Sequence, residues 1–595
     1  MKKFNNKGFL LVETLVSATF VLTVLIILFL QFKNLIINYN NSYKYNTVEN
    51  VYTLGSIKNY LINNGNLNEF DFGGESYIKI ADENSKTCQN LPENFMNQTF
   101  CDILIESSNI KTIIYTDESH FDGLKLNGNS GIKEGMKKFI KQLKSTGKSR
   151  IIAEFDNGTF ASIVVEQKMA QIENAIFVKS DGNNETGNGT ITHPYATIGK
   201  AYEVAADNNT IYILDNIIAE DTTQINSDKT VTISSCIPIS YHECSIGNAN
   251  TITRGSSLQN EIIYITSGTL NLNTIIIDGN KIESPRSLIM GNNIDNKTYN
   301  ISLENTTITN GHSTSANGGA IHIDGTCNLT IDNSKLTYNI ANSGGALHIG
   351  PLSKVTISGE NTEISYNKAS NTNGGAVVNL GTLIINGGNI SNNSAENYGG
   401  AILSKKYQDN QKSTITINGG NIEGNTSRHA GGAIFSGSNS DKETSLLTIT
   451  NGTIKNNKTT AADDASGGAI YSHGELRMTG GTISNNSAGT WGGGFICKSS
   501  CTMTGGSITN NNAVEKNGGG VQNDGTFTMD GATASITNNH SKLAGGGVAI
   551  ADGVNAKFYM KNGTIINNTA DSGKKGVYKG EKGTYTKSGG TVQTD

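Results

Sequence analysis

Charge is scarce in this chain. Asp, Glu, Lys and Arg make up 16% of its 595 residues, arginine occurs only five times, and tryptophan once. The net charge is −5, all of it after residue 176. Phosphate binding draws on a basic patch, so a weakly acidic repeat region argues against nucleic acid as the main partner. Low charge and five prolines beside 69 glycines would also suit disorder. The aliphatic residues argue otherwise: they recur at regular spacing, as in a packed, turn-rich β protein. At this length more than one domain is expected. A short apolar core ending at a small-residue cleavage site is also missing, which excludes an ordinary secretory signal.

What stands at the N-terminus is longer. Lys2, Lys3 and Lys7 precede Gly8, and the apolar run from Phe9 to Leu30 carries one charge, Glu13. As a helix this run extends about 33 Å, enough to cross a bilayer. The lysines place residues 1–8 on the cytoplasmic side and the bulk of the chain outside. A carboxylate so deep in a membrane span is costly and calls for a partner. Gly8-Phe9 followed by Glu13 resembles the type IV prepilin signal. The resemblance implies cleavage after Gly8 by a prepilin peptidase, methylation of the Phe9 amine, and assembly with other pilin subunits through Glu13. It also implies a single-pass protein of the inner or cytoplasmic membrane, passing later to the cell surface or an extracellular pilus.

After Leu30 the amphipathic pattern continues through Leu54, Ile57 and Leu61 to the stop at Asn63-Asn64-Gly65. One helix over residues 9–63 is expected, its 9–30 segment in the membrane. Strand-like runs follow at Tyr77–Ile80, Cys101–Ile105 and Lys111–Tyr115, then an amphipathic helix around Met136, Phe139, Ile140 and Leu143. A hairpin, Ile151–Phe155 and Phe160–Val165 around Asp156-Asn157-Gly158, closes this part. The layout over 64–167 resembles a small α+β pilin head, and 168–177 reads as a linker. The seven cysteines fit an exported chain. Cys88 and Cys101 are the pair that the pilin resemblance implies, and Cys236 and Cys244 are a second candidate. Cys327, Cys497 and Cys501 fall on apolar strand positions and read as small buried hydrophobes.

Residues 178–595 are repetitive. Gly-Gly-Ala or Gly-Gly-Gly starts at Gly318, Gly344, Gly374, Gly399, Gly431, Gly467, Gly492, Gly518 and Gly545, in steps of 25 to 36 residues. Out of phase with it runs an aliphatic residue with Asn three positions on, from Leu336/Asn339 through Ile483/Asn486 to Ile565/Asn568. A recurring step of this size means stacked repeats. Apolar pairs two apart, such as Leu329/Ile331 and Leu383/Ile385, mark strands. Three strands per unit are expected, with aliphatic columns inside and an asparagine ladder at a turn. Room exists for roughly 14 coils, about 65–70 Å of rod at the ~4.8 Å spacing of paired strands.

The segment Val178–Ile213, with a short helix expected over about Tyr195–Ala206, resembles the entry to pectate-lyase-like right-handed parallel β-helices. The Gly-Gly-Ala-Ile and Ile-x-x-Asn motifs resemble the repeats of chlamydial polymorphic membrane proteins, which are surface adhesins. Those end in an outer-membrane barrel, and nothing barrel-like follows residue 570. The expected fold is therefore mainly β: a right-handed parallel β-helix after a long N-terminal transmembrane or pilin helix and a small α+β head. Lys574, Lys575, Lys579, Lys582 and Lys587 suit an exposed final sheet edge.

The resemblances imply a minor pilin or pseudopilin displaying an adhesive β-helix toward a host or environmental glycan or protein. A tethered polysaccharide lyase or hydrolase is the alternative, and a pseudopilin of a secretion or DNA-uptake machine a further one. No catalytic residue and no cofactor is assigned. Asp278, Asp324, Asp332 and Gly311-His312 do not converge at one repeat phase, and arginine is too sparse to supply a lyase base. Asp463-Asp464 reads as a solvated loop. Leu91-Pro-Glu-Asn lacks the apolar tail of a sorting signal. His193, His322, His348, His429 and His473 show no metal spacing along the chain. Trp491, beside a glycine corner, is a possible surface contact.

Overall fold

The computed structural model describes residues 48–63, 77–81, 88, 91, 101–102, 105–106, 109–117, 134–143, 149–165 except 157, and 174–594 except 237–248, 294–296, 408–410, 439–444 and 462. Gly8, Phe9, Glu13 and Cys244 lie outside the described residues, as does the whole 9–30 segment. Among the described residues no helix is long and apolar enough to cross a membrane. The chain divides into two compact units, residues 1–170 and 171–595.

In the first unit the helix Val48–Asn63 buries Leu54, Ile57 and Leu61, one stripe at spacings of three and four. Four strands, Ile78–Ala81, Ile110–Thr116, Arg150–Phe155 and Phe160–Val164, form an antiparallel sheet in chain order. The hairpin between the last two closes as its sequence demands. Gly158 takes φ +75° and its N–H donates to the Phe155 carbonyl at 2.8 Å. The helix Glu134–Gln142 lays Met136 and Ile140 on Tyr77, Ile114 and Ile152. Cys88 and Cys101 form a disulfide. The strand expected over Cys101–Ile105 is not there: residues 101–102 and 105–106 are helical. Cys101 and Ile105 are both buried and four residues apart, so a short apolar run of this kind satisfies either period.

The second unit is a parallel β-solenoid. Its strands stack into sheets of 15, 14, 13 and 11 members, with each strand paired to its counterpart in the next coil. One coil runs Ile321–Asp324, Cys327–Asp332, Lys335–Thr337 and Ile340–Ala341 before Leu347–Ile349 begins the next. The expected three strands per coil are thus four. The fourth is only two residues long, too short for any periodicity to reveal. It ends on a small side chain turned inward, as at Ala341, Ala369, Ala395, Ala488 and Ala513.

Stacking places like on like. Ile308, Leu336, Ile364, Ile390, Ile422, Ile454, Ile483, Ile508, Ile536 and Ile565 form one inward column, each no more than 1% exposed. Beside it runs the asparagine ladder. Asn486 Oδ1 accepts from the Asn457 backbone N–H at 2.9 Å and from its Nδ2 at 3.0 Å, while its own Nδ2 donates to the Ile454 carbonyl at 2.9 Å. The pattern extends from Asn339 to Asn568, where Gln593 Oε1 accepts from the final Asn N–H at 2.7 Å. The glycine pairs serve the close approach of coils: Gly399 takes φ +65°, and a Cβ on Gly400 would collide with the Gly432 carbonyl oxygen.

At the N-terminal end the helix Ile198–Val204, capped by Thr197, buries Ile198, Ala201 and Tyr202 in the solenoid core. Lys229 Nζ donates to the Tyr202 and Ala205 carbonyls at 2.6 and 2.8 Å, satisfying the C-terminal end of that helix. At the other end Thr584–Lys587 is mostly exposed, and Tyr585 stacks on Phe558.

Cysteine readings divide. Cys327 is a buried free thiol, pushed up to about 12 by burial. Cys497 and Cys501 are not separate hydrophobes but a disulfide. Cys497 ends one strand and Cys501 is the second residue of the next, so the corner between them brings both inward side chains together, Cα atoms 6.1 Å apart. Cys236 is also disulfide-bonded.

Candidate functional site

The residue before each ladder asparagine turns the chain out of one strand and into the next, and it does so in the left-handed region. Asn392, Asn456, Asn485, Asn510, Asn538 and Asn567 hold φ between +55° and +57°, Gly424 holds +65°, and Asn310 holds +56° at the same corner one coil before the ladder, where Gly311 follows it. Asn and Gly tolerate this conformation because a short polar side chain, or none, relieves the clash at Cβ. Two successive coils break the rule with tyrosine: Tyr338 at φ +57° and Tyr366 at +56°. A bulky side chain there costs about 1 kcal/mol or more per site.

That cost does not go into a core. Tyr338 and Tyr366 are 56% and 49% exposed, yet their rings stack at 5.2 Å with planes 7° apart. They stand in a groove of about 960 Å³ with Lys281, His312, Thr337, Ile340, Lys368, Asn392 and Ser394. The polar groups come from five neighbouring coils: Thr337 from the strand before the turn, Lys281 and Asn392 from the turn itself, and His312, Lys368 and Ser394 from the short strand after it. Exposed apolar faces bordered by hydroxyl, amide and amine groups are the ordinary make-up of a recognition site. The sequence shows this place, in Leu336-Thr-Tyr-Asn339 and Ile364-Ser-Tyr-Asn367, once the register identifies the residue before Asn as the left-handed one.

A second cluster lies on the outer face of the 13-stranded sheet. His322 and His348 occupy paired positions in adjacent coils, their rings stacked 4.3 Å apart. Asp324 reaches both: its Oδ2 lies 2.9 Å from His322 Nε2, and its Oδ1 3.7 Å from His348 Nε2. His322 Nδ1 is 2.9 Å from the Asn317 carbonyl. Burial favours a neutral carboxyl at Asp324, but the His322 hydrogen bond and the charge of the two imidazoles outweigh it and hold the group below the usual carboxylate range. Burial pushes His348 down, toward the neutral imidazole. Absence of metal spacing along the chain therefore misleads here, because one coil step of 26 residues is adjacency in space.

Farther along the same face, Tyr398, Phe435 and Tyr471 pack over Val378 and Leu403. The central ring is covered: Phe435, between Tyr398 and Tyr471, is 6% exposed. His473 beside it is pushed down to about 4, first by burial and then by the Lys498 charge.

The remaining sequence candidates are dispersed. Asp278 accepts from Asn310 Nδ2 at 3.0 Å and from the Asn280 N–H at 2.8 Å, a turn role. Asp332 accepts from Ser358 Oγ at 2.7 Å. His312 lies in the tyrosine groove, 3.9 Å from Glu283. Asp463 and Asp464 are exposed, and His429 leans on Tyr398 at 6.1 Å. Trp491 is half-buried, with Lys516 Nζ 5.9 Å above its ring. Arg254 is a departure no pattern anticipates: fully buried, it donates to the Asn260 and Ser287 carbonyls at 3.0 and 3.1 Å. Desolvation pushes its guanidinium down to about 10. No protein-family model, no curated protein and no solved structure matches this chain.

Proposed function

We propose that this protein is a minor-pilin-like or pseudopilin-like surface subunit whose right-handed β-solenoid binds a saccharide in the groove at Tyr338 and Tyr366. The observation that carries the binding reading is the tyrosine pair itself. Two aromatic rings are held exposed and parallel, at the expense of backbone strain, where neighbouring coils use asparagine. Sugar rings present C–H faces that settle on aromatic rings, with hydroxyls free to bond the amides, hydroxyls and amines of a groove rim. Lys281, His312 and Lys368 favour a sugar bearing carboxylate or sulfate.

Display at the surface rests on the prepilin-like residues Gly8, Phe9 and Glu13. The disulfides Cys88–Cys101 and Cys497–Cys501 support export, since such bonds persist outside the reducing cytosol. Gly8→Ala should leave the leader attached, read by mass spectrometry of the N-terminus; a mature chain beginning at Phe9 in that variant contradicts the processing claim.

The binding claim is tested by presenting the full chain to an array of neutral and acidic glycans. Tyrosine nitration is then followed with and without the best binder. Protection of Tyr338 and Tyr366 is expected. A binder that protects neither tyrosine, or no binder at all, overturns the assignment of the groove. Release of unsaturated sugar during the incubation would favour the tethered lyase instead.

A further inference from the structure

We infer that His322, Asp324 and His348 form a binding site for a divalent first-row transition metal, with zinc the preferred ion. Among the described residues they are the group of His, Cys, Asp or Glu side chains whose ligand atoms come within 4.8 Å of one another. The distances fit one ion. Tetrahedral zinc with bonds of about 2.0–2.1 Å sets its ligand atoms about 3.3 Å apart. The observed separations of 2.9 and 3.7 Å, one from each carboxylate oxygen, bracket that edge.

Hydrogen bonding around His322 points the same way. The Asn317 carbonyl can only accept, so the nitrogen facing it at 2.9 Å, Nδ1, carries the proton. Nε2 is thereby turned toward Asp324 Oδ2, 2.9 Å away, on the carboxylate that lies between the two rings. His348 faces the same carboxylate from the next coil. That ring is 6% exposed, aims Nε2 at the other carboxylate oxygen, and is 3.7 Å away, too far for a hydrogen bond.

The surroundings hold the three groups in place. Tyr299, fully buried, donates its hydroxyl to the Asp324 carbonyl at 2.7 Å and so pins the strand end that carries the carboxylate. In the next coil the residue beside it is Gly350, where a Cβ would collide with the Asp324 carboxylate. Outer contacts of this kind orient ligands in metal sites. Imidazole nitrogens select zinc, copper or nickel over calcium and magnesium, which want more oxygen ligands than this site has. Three protein ligands, with the Asp324 side chain 38% exposed, leave a fourth position open to solvent.

The test uses the purified full chain, stripped with EDTA and titrated with Zn²⁺, with Co²⁺ as a spectroscopic probe. About one equivalent of Zn²⁺ should bind, and Co²⁺ should give the visible ligand-field bands of a four- or five-coordinate nitrogen–oxygen site. Asp324→Asn and His348→Phe, the latter keeping the ring stack, should each weaken Zn²⁺ at least about 10-fold and abolish the Co²⁺ bands. His429→Asn, on a histidine outside the cluster, should leave both unchanged. Melting in EDTA separates folding from binding: variants that melt like the wild type yet do not bind support the site. Less than one-tenth of an equivalent bound by the wild type, or equal binding by Asp324→Asn and the wild type, overturns it. If both variants misfold, the Co²⁺ spectrum of the wild type decides alone, and bands of a fully hydrated ion refute the proposal.

Discussion

Ile364 and Ile483 lie four coils apart in one inward column, and their surroundings are interchangeable. Two residues further along those coils stand Tyr366 and Asn485, which share a backbone conformation and nothing else. Inside the solenoid each side chain packs against its counterparts above and below, so a departure in one coil leaves a gap or clash in two others. At the outer corner the backbone is held by the ladder asparagine that follows, and the preceding side chain stands outside the core, touching at most its counterparts or a surface group of a neighbouring coil. Such a corner can be given over to recognition. Tyr338 and Tyr366 are what that freedom permits, at the cost of strain.

The largest loss comes from a change inside the solenoid. Ile483→Asp puts a carboxylate into a dry column with no partner, a loss of about 3–5 kcal/mol. Coils touch only their neighbours, so limited proteolysis should cut near residue 483 while distant coils persist. Cleavage spread evenly over the rod, or none, would contradict the column.

Next comes the ladder. Asn486→Ala leaves the Asn457 N–H and the Ile454 carbonyl without their partners, about 1–3 kcal/mol. Hydrogen exchange should quicken first at the Asn457 amide, which loses its acceptor, while the residue 486 amide keeps its bond to Asn511 Oδ1. By contrast, changing the adjacent outward Asn485 to Gly should shift stability by only a few tenths of a kcal/mol, since both residues accept a left-handed turn.

A smaller effect follows from His473. Burial and Lys498 hold its folded-state value near 4, below the usual 6.5, so the unfolded chain takes up the proton first. The stabilisation it contributes is complete above about pH 6.5 and is lost as pH falls toward 4. His473→Phe, extending the Phe435–Tyr471 stack, should flatten the acid limb of a melting-temperature profile over that window. An unchanged limb would mean that other groups set it.

The inward register was readable because aliphatic pairs and the Ile-x-x-Asn motif repeat with a parity that only one strand orientation satisfies. The two-residue strand ending at Ala369 or Ala395 was not, since two residues carry no period. Cys497 and Cys501 follow the inward parity, so sequence pattern alone cannot tell a pair of small hydrophobes from a bond across a corner. His322 and His348 escape a search by chain spacing, because their neighbourhood depends on the length of one coil. The tyrosines are plain in the sequence, but their meaning depends on knowing that the residue before Asn is left-handed. Arg254 has no sequence signal at all.

In the proposed reading, Tyr338 and Tyr366 hold strain for the sake of binding. Replacing both with the asparagine of neighbouring coils, Tyr338→Asn with Tyr366→Asn, tests it in one protein. The double variant should melt higher, by about 1–2 kcal/mol of added stability, and lose its affinity for the glycan selected by the wild type. A variant that binds as before, or that is less stable than the wild type, would contradict the account.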